Sequence, residues 1–596
     1  MCGFTGSISF NEIDEVKLEK SNRHSHCRGP DNISNTKGKE DIYYNLWFNR
    51  LAIVDLSSQA NQPMVSKDSN SIIMFNGEIY NSNVLREKIS KQNYKFLTSH
   101  SDTETLFAGL NTYGINFINE IEGQFSFFYI DKTKKKIYLA RDRVGQKPLY
   151  INTTKENILF ASNLRSILDF KNNAEIDKDS IDQYLAYGTN FAPRTLFKDI
   201  FKIPAAHYLE IDYKGGEFIK KSVEYWNPAT FFDNKEFSQV EFETLFKESV
   251  AKRMIADVEI ANFLSGGIDS TSIVKNLSDL NYKVNTFSVL VESEKYNEKK
   301  YIQEVVDKYK TNHEEITVDE KISNQIIKEA INCLDEPYGD PSIVPSYYIC
   351  KLISKNFKVA ISGDGGDELL GGYHRLKNHL KKKNYLIKLI SKLYSIYPPF
   401  FGTGSKFKSL NSNDFEAYVS FLEDSKFIKL LGISQLSESL RIKMKNEESL
   451  YKSLIALEYK YYLADQMMFK VDRTSMAHSV EVRSPLVDHK LVEYIFSHSF
   501  EYFGRENQKL PLQNYLSNDF SHEFLNRPKQ GFVFDYRKWI YKNFSLIKKE
   551  IESSQLDKFI SSKSLYKLNF IKSRINALRI WKLFVLASYL NETRKT

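Results

Sequence analysis

Val258-Glu259-Ile260-Ala261-Asn262-Phe263-Leu264, followed at once by Ser265-Gly266-Gly267-Ile268-Asp269-Ser270, sets the architecture of the larger half of this chain. A short apolar run that stops at a glycine pair and passes into an amphipathic segment predicts a strand, a tight loop and a helix. The alternation continues. Val284–Val291 predicts a second strand and Lys299–Tyr309 a helix. Lys358–Ile361 predicts a further strand, ending in the loop Ser362-Gly363-Asp364-Gly365-Gly366-Asp367-Glu368. Alternating β and α elements build a parallel, doubly wound sheet, which binds ligands at the carboxyl ends of its strands. Backbone N–H groups at a helix start attract anions, and glycines let a phosphate approach the main chain. The acidic side chains Asp269 and Asp367 are a natural pair of oxygen ligands for Mg²⁺. No Walker A ending, Gly-Lys-Ser/Thr, is present, which counts against a kinase-type P-loop. A plain Ser-Gly-Gly turn and a calcium loop are the alternatives, although the acidic spacing does not match an EF-hand.

Residues before about 205 read differently. Ser71–Phe75, Phe125–Ile130, Ile137–Ala140 and Ile158–Ala161 are short β-type runs, and the polar breaks Asp131–Lys136 and Thr153–Asn157 predict hairpin turns. Helical periodicity marks Val84–Ile89 and Thr103–Leu110. This mixture predicts packed antiparallel sheets with flanking helices. A chain of 596 residues exceeds the roughly 250–300 residues at which a single core stops growing. The expected division is 2–205, a connection at 206–235, and 236–596, the last part mainly helical and aromatic-rich.

The net charge of +8 is mild for this length, and lysines are interspersed with acidic residues. Without a helix-turn-helix, zinc-finger or RRM signature, no nucleic-acid partner is expected. The basic stretch Arg375–Lys408 predicts a solvated helical face, with contact to a membrane surface or a partner as its other use. Cys2, Cys27, Cys333 and Cys350 form no CxxC pair and suit reduced thiols in a cytoplasmic protein. No membrane span and no signal peptide are expected.

The sequence opens Met1-Cys2-Gly3. Methionine is commonly trimmed before a small residue, which predicts Cys2 as the first residue, with a thiol and a free α-amine on one carbon. The amine can then serve as base for its own nucleophile. Asn76-Gly77-Glu78 follows the apolar run Ile72–Phe75, and a side-chain amide beside a glycine N–H makes an oxyanion hole. Arg50 could clamp an α-carboxylate, and Asp102, at a helix start, an α-ammonium. Each also has a plain structural use: a hairpin turn at Asn76-Gly77, a surface ion pair at Arg50, a helix cap at Asp102.

Taken together, Cys2-Gly3, Arg28-Gly29-Pro30-Asp31, Arg50 to Asp55, Gln62-Pro63-Met64, Asn76 to Asn81, Ser101-Asp102-Thr103-Glu104, Ala140-Arg141-Asp142-Arg143 and Lys147-Pro148-Leu149-Tyr150 resemble the class II glutaminase domain of N-terminal-nucleophile (Ntn) hydrolases, as found in glutamine-dependent asparagine synthetases. The resemblance spans residues 2–165. Ser265–Ser270, Asp335-Glu336-Pro337, Asp340-Pro341-Ser342, Ser362–Glu368, Gly371-Gly372-Tyr373, Lys470-Val471-Asp472-Arg473 and Glu481 to His489 resemble the PP-loop ATP pyrophosphatase domain of the same enzymes. The likeness covers nearly the whole chain and thins after about residue 540.

The resemblance implies an Ntn-hydrolase αββα sandwich followed by a doubly wound parallel-sheet α/β synthetase domain with a helical C-terminal part. It implies Cys2 as nucleophile, Asn76 and Gly77 at the oxyanion, and Arg50, Leu51, Ile53, Glu78 and Asp102 holding glutamine. ATP would lie at Phe263, Ser265, Gly266, Gly267, Asp269, Ser270, Val289, Ser362 and Gly363, with Mg²⁺ on Asp269 and Asp367. An acceptor carboxylate would attack the α-phosphate and form an acyl-adenylate, which ammonia from the first domain converts to amide and AMP. Aspartate is the first acceptor expected. A surface-sugar uronate or small metabolite is the second reading, and a glutaminase-only or non-catalytic protein the third. A homodimer is implied as well.

Three positions depart from the family. Cys27 stands where histidine is usual. Asp364 stands where some members have a glutamate that takes a proton from ammonia. Arg473 stands where some use a catalytic lysine, with Lys470 one turn earlier on the same helix face. Arginine holds phosphate but does not deprotonate, and an ion pair with Glu481 or Asp472 is the structural alternative.

Overall fold

The computed structural model describes residues 2–291, 298–318, 323–373, 375–376, 379, 397–398, 401–403, 415–432, 450–498, 509–527, 534–554, 556 and 562–593. Most of the basic stretch 375–408 lies outside these residues.

Two six-stranded antiparallel sheets form the N-terminal part. In spatial order one contains Phe201–Lys202, Tyr150–Thr153, Asn157–Ala161, Gly3–Ser9, Tyr43–Arg50 and Asn32–Lys39. The other contains Ile219–Glu224, His207–Asp212, Lys136–Arg141, Gly123–Asp131, Ser71–Ile79 and Met64–Val65. Side chains on a strand alternate between faces, and Ser71–Ile79 uses both. Ile72 and Met74 face inward with Phe4, Phe48 and Phe160 of the first sheet. Ile73 and Phe75 face outward under Leu85, Ile89, Leu106 and Leu110 of the helices Ser82–Ser90 and Asp102–Tyr113. Beyond the first sheet, Leu164 and Ile167 of the helix Leu164–Lys171 cover Leu159 and Ala161. The layers are therefore helix, sheet, sheet, helix. Asp131–Lys136 and Thr153–Asn157 join adjacent antiparallel strands, as their polar composition predicts. Residues 206–235, expected to be a connection, instead carry two strands that extend the second sheet through Ile211↔Ile137 and its neighbours.

The C-terminal part is built on five parallel strands in the order Asn312–Val318, Asn285–Val291, Ile260–Phe263, Val359–Ile361, Glu481–Arg483. Its core strands are apolar on both faces: Ala261, Phe287, Ala360 and Val482 pack on one side, and Ile260, Val359 and Ile361 on the other. The chain leaves Ile260–Phe263 toward one edge and returns to the other side of it at Val359–Ile361. That reversal is a topological switch point, where the crevice at the strand ends opens. Both glycine loops leave those two neighbouring strands.

A helix near the C-terminus, Arg574–Thr593, ties the two parts together. Its Trp581 is fully buried against a cluster that includes Tyr184 and Leu185. Tyr184 Oη donates to the Lys582 carbonyl at 2.9 Å, and Lys582 Nζ donates to the Leu185 carbonyl at 3.1 Å. Among the described residues no helix is long and apolar enough to cross a membrane.

Candidate active sites

Cys2 lies at the head of the central strand Gly3–Ser9 and is 7% exposed. Its backbone N–H donates to Asn76 Oδ1 at 3.0 Å, and its thiol sits 3.9 Å from the Leu51 carbonyl oxygen. Burial raises the thiol above its ordinary range. A narrow pocket opens beside it, lined by Cys2, Arg50, Leu51, Ile53, Gly77, Glu78 and Asp102, together with Gln62 and Thr103. Strands of both sheets, the 51–62 loop and the start of the helix Asp102–Tyr113 thus bring together residues scattered over a hundred positions.

The plain structural uses of these residues give way to specific ones. Asn76-Gly77 is no hairpin turn: it sits inside the nine-residue strand Ser71–Ile79, paired with Ser126 and Phe125. Asn76 Nδ2 is 3.4 Å from Ser126 Oγ. A Cβ on Gly77 would collide with the Gln124 carbonyl oxygen, so the strand approaches its neighbour there only because the residue is glycine. Ser101, not Asp102, occupies the cap position of Asp102–Tyr113, and Asp102 Oδ2 accepts the Ile79 N–H at 3.0 Å. This bond ties Asp102 to the strand that carries Asn76. Arg50 is buried rather than at the surface. Its Nη1 donates to the Ser57 carbonyl and Asn61 Oδ1, both at 2.8 Å, and its Nη2 to the Asp55 carbonyl. Arg50 therefore organises the 55–61 loop at the pocket mouth.

The C-terminal part reaches one residue of the pocket lining, Glu78. Arg483, fully buried on the last strand of the parallel sheet, donates to Glu78 Oε2 at 2.9 Å and to Glu481 Oε1 at 2.6 Å. Burial, with the Asp102 carboxylate, pushes Glu78 well above its usual range in spite of Arg483. Burial also raises Asp102, to about 6. Glu481 goes the other way. Burial opposes its ionisation, but the charges around it, Arg483 and Lys147 among them, hold it at about 2. Three carboxyl groups thus share this corner, and environment separates them, with Glu481 held low and Glu78 and Asp102 raised.

In the parallel sheet, Ser265–Ser270 turns from strand to helix. Gly266 has φ +65°, and Gly267 heads the helix Ile268–Asp279. Ser270 Oγ donates to the Gly267 carbonyl at 3.2 Å and lies 3.2 Å from Ser265 Oγ, which fixes the turn. Phe263 and Val289, on adjacent strands, are half-buried against Ala261, Phe287 and Ala360.

The second loop starts at Ser362, whose Oγ donates to Asp364 Oδ2 at 2.8 Å. The Ser362 N–H donates to the Arg483 carbonyl at 3.0 Å, which joins the loop to the strand whose side chain reaches Glu78. A Cβ on Gly363 would come within 2.7 Å of the Asp269 Cβ, and one on Gly366 within 2.7 Å of Asp269 Oδ1. These glycines let the two loops close on each other and bring Asp269 beside Asp367. Between the two carboxylates lies Lys509. Its Nζ donates to Asp269 Oδ2 and is 2.7 Å from Asp367 Oδ1. Burial would lower the lysine, but the two aspartates raise it above its ordinary value, so it is an ammonium.

The asparagine synthase family pattern matches residues 241–584, and the glutamine amidotransferase domain pattern matches residues 1–226. The chain belongs to the asparagine synthase family. It is 29% identical to asparagine synthetase (glutamine-hydrolyzing) 1 of Bacillus subtilis, over 98% of this chain and 96% of that protein. It is 33% identical to a Methanocaldococcus jannaschii protein provisionally named asparagine synthetase (glutamine-hydrolyzing) 2, over 80% of this chain and 98% of that one.

In this asparagine synthase family member, Lys470 and Arg473 share the helix Met468–Met476 but have different partners. Lys470 Nζ has a contact at 3.9 Å with Met467 Sδ. Arg473 is 6% exposed and reaches Asp335 at 2.8 Å, Asp472 at 3.1 Å and Tyr150 Oη at 2.5 Å. Arg28 of the amidotransferase part closes on Asp472 through two bonds of 2.8 and 3.0 Å. Arg28 and Arg473 overcome the burial of Asp472 and hold its carboxyl at about 2. Of the two ion pairs open to Arg473, the one with Asp472 forms, while Glu481 pairs with Arg483. Sequence reasoning missed Lys509, Arg483 and Tyr150 as contributors to either site. Arg483 stood inside a quoted motif, but a motif carries no direction for a side chain. Cys27, the departure from histidine, uses its carbonyl to accept Ser479 Oγ at 2.6 Å across the same interface.

Proposed function

We propose that this chain is a glutamine-dependent asparagine synthetase. The observation that carries it is the joint presence of a pocket around Cys2 and two closed glycine loops at the switch point, linked by one strand, Glu481–Arg483.

Removal of the residue before Cys2 frees an α-amine at the nitrogen now 3.0 Å from Asn76 Oδ1. That amine takes the thiol proton, and the thiolate attacks the glutamine side-chain amide. Asn76 and Gly77 steady the oxyanion. Ammonia leaves, and water hydrolyses the thioester to glutamate. Asp102 and Glu78 hold the α-ammonium of glutamine, with Arg50 toward its α-carboxylate and Leu51 and Ile53 lining the slot.

At the second site, Ser265, Gly266, Gly267, Ser270, Ser362 and Gly363 hold the phosphates, and Phe263 and Val289 flank the adenosine. The aspartate side-chain carboxylate attacks the α-phosphate, pyrophosphate leaves, and ammonia displaces AMP from the acyl-adenylate. Asp364 is the group we assign to the ammonia proton. Of Lys470 and Arg473, Lys470 is the one we assign to phosphate, and Arg473 positions the interface. Asp269 and Asp367 fit a Mg²⁺ ion. They are two oxygen donors brought together by glycines that no Cβ could replace, and no cluster of three or more His, Cys, Asp or Glu forms a protein-only cage among the described residues. Such a set suits Mg²⁺, which takes one or two carboxylates and completes its shell with phosphate oxygens and water. When bound, it would neutralise the charge of the departing pyrophosphate. A cytoplasmic homodimer is the assembly we propose, on family likeness, and sedimentation velocity tests it.

The test of function is an acceptor screen with glutamine and ATP that reads AMP and pyrophosphate. Aspartate should give asparagine with one AMP per amide. Release with a uronate or another metabolite, and none with aspartate, would replace the acceptor while keeping the chemistry.

A further inference from the structure

Lys509 has no part in the chemistry above, yet it occupies the centre of the proposed metal site. Its Nζ touches both carboxylates, Asp269 Oδ2 directly and Asp367 Oδ1 at 2.7 Å, and the residue is 7% exposed. It arrives from 240 positions beyond Asp269. Three features fix it there. Its N–H donates at 3.3 Å to the carbonyl of Leu370, just past the short helix that carries Asp367. The helix that follows it, Leu510–Leu516, packs beside Ile268–Asp279, and Tyr515 Oη donates to Asp279 Oδ2 at 3.1 Å. Gly372 faces both Asp367 and Lys509, and a Cβ there would overlap the carboxylate and the lysine stem.

Two carboxylates this close, Asp367 buried and Asp269 half-buried, repel each other. A single ammonium touching both offsets that repulsion. An ammonium is also a compact charge on a flexible stem, so it can withdraw without rearranging the loops. We propose that Lys509 is a resident counter-cation that keeps Asp269 and Asp367 in place until metal and nucleotide enter together and displace it. This rests on the reading of those two aspartates as metal ligands. The consequence is ordered binding. A divalent ion alone competes with a tethered charge, whereas a metal nucleotide brings phosphate oxygens to receive the displaced ammonium.

The experiment is Mn²⁺ titration of the full chain followed by electron paramagnetic resonance, with and without a non-hydrolysable ATP analogue. The unmodified protein should bind Mn²⁺ at least about tenfold more tightly with the analogue than alone. Lys509→Gln should bind Mn²⁺ alone about tenfold more tightly than the unmodified protein does. Its thermal midpoint should rise on adding Mn²⁺, while that of the unmodified protein stays still. Equal Mn²⁺ affinity in Lys509→Gln and the unmodified chain would overturn the proposal. If Lys509→Gln does not fold, the unmodified protein still decides: binding of Mn²⁺ alone as tight as with the analogue would overturn it. Asp269→Asn separates the two readings. If it leaves Mn²⁺–analogue binding unchanged, the metal site itself is wrong. If it weakens that binding while Lys509→Gln behaves as unmodified, the counter-cation alone is wrong.

Discussion

The pocket around Cys2 and the crevice at the glycine loops are built on opposite plans. The first is assembled from side chains already hydrogen-bonded within the protein: Asn76 to the Cys2 backbone N–H, Asp102 to the Ile79 backbone N–H, and Glu78 to Arg483. Its carboxyl groups have been separated by burial and by neighbouring charge before any ligand arrives. The second is assembled from backbone and absent side chains, with Gly266, Gly363 and Gly366 making room, and its carboxylates are held by the protein's own lysine. A site that must break one amide can be finished in advance. A site that must receive a polyanion and release another has to keep its charges replaceable.

Substitutions can break that contrast. Cys2→Ala carries the largest expected effect: glutamine-dependent turnover should fall by about 10⁴-fold or more, while ammonia-dependent turnover stays within about twofold. Equal loss of both would mean that the sites are not separate. Arg483→Met leaves Glu78 and Glu481 buried without their shared partner, and it should cost about 3–5 kcal/mol of stability in denaturant unfolding. Asp367→Asn should cut pyrophosphate release by on the order of 10²–10³-fold, with glutamine hydrolysis assayed alone unchanged.

Two smaller effects sharpen the picture. Tyr150→Phe removes the hydroxyl that donates to Glu336 Oε1 at 2.8 Å and accepts from Arg473. A loss of about 1–3 kcal/mol is expected from the groups left unpaired. The pH dependence of glutamine binding follows from Asp102, which burial raises to about 6. A carboxylate is needed opposite an α-ammonium, so affinity should be full above that value. It should fall by about tenfold for each unit of pH below it, as titration calorimetry on Cys2→Ala would record.

How much of this was legible in the sequence differs between the two regions in the same way. Lys299–Tyr309 is a helix with the bounds its periodicity predicts, and the strand–glycine–helix pattern at 258–270 fixes the parallel sheet. The apolar run Val258–Leu264 shortens to Ile260–Phe263, the part buried in the sheet. The strand Ile219–Glu224 escaped notice because it is an edge strand, almost wholly exposed, with no apolar face to alternate. Residues around Cys2 were legible because short motifs carry them. Lys509 was not, because nothing local distinguishes one lysine among many until the fold brings it to two aspartates. Arg483 was quoted for its motif, but its partner Glu78 lies 405 positions away.

In the proposed reaction one nitrogen passes internally from glutamine to asparagine, and an isotope competition decides whether it does. The unmodified chain is given glutamine labelled with ¹⁵N at the side-chain amide, aspartate, ATP and an excess of unlabelled ammonium. The asparagine formed should carry a new amide that is predominantly ¹⁵N, because ammonia released at Cys2 reaches the adenylate without mixing with the solvent. An amide diluted to the isotope ratio of the bulk ammonium would contradict it.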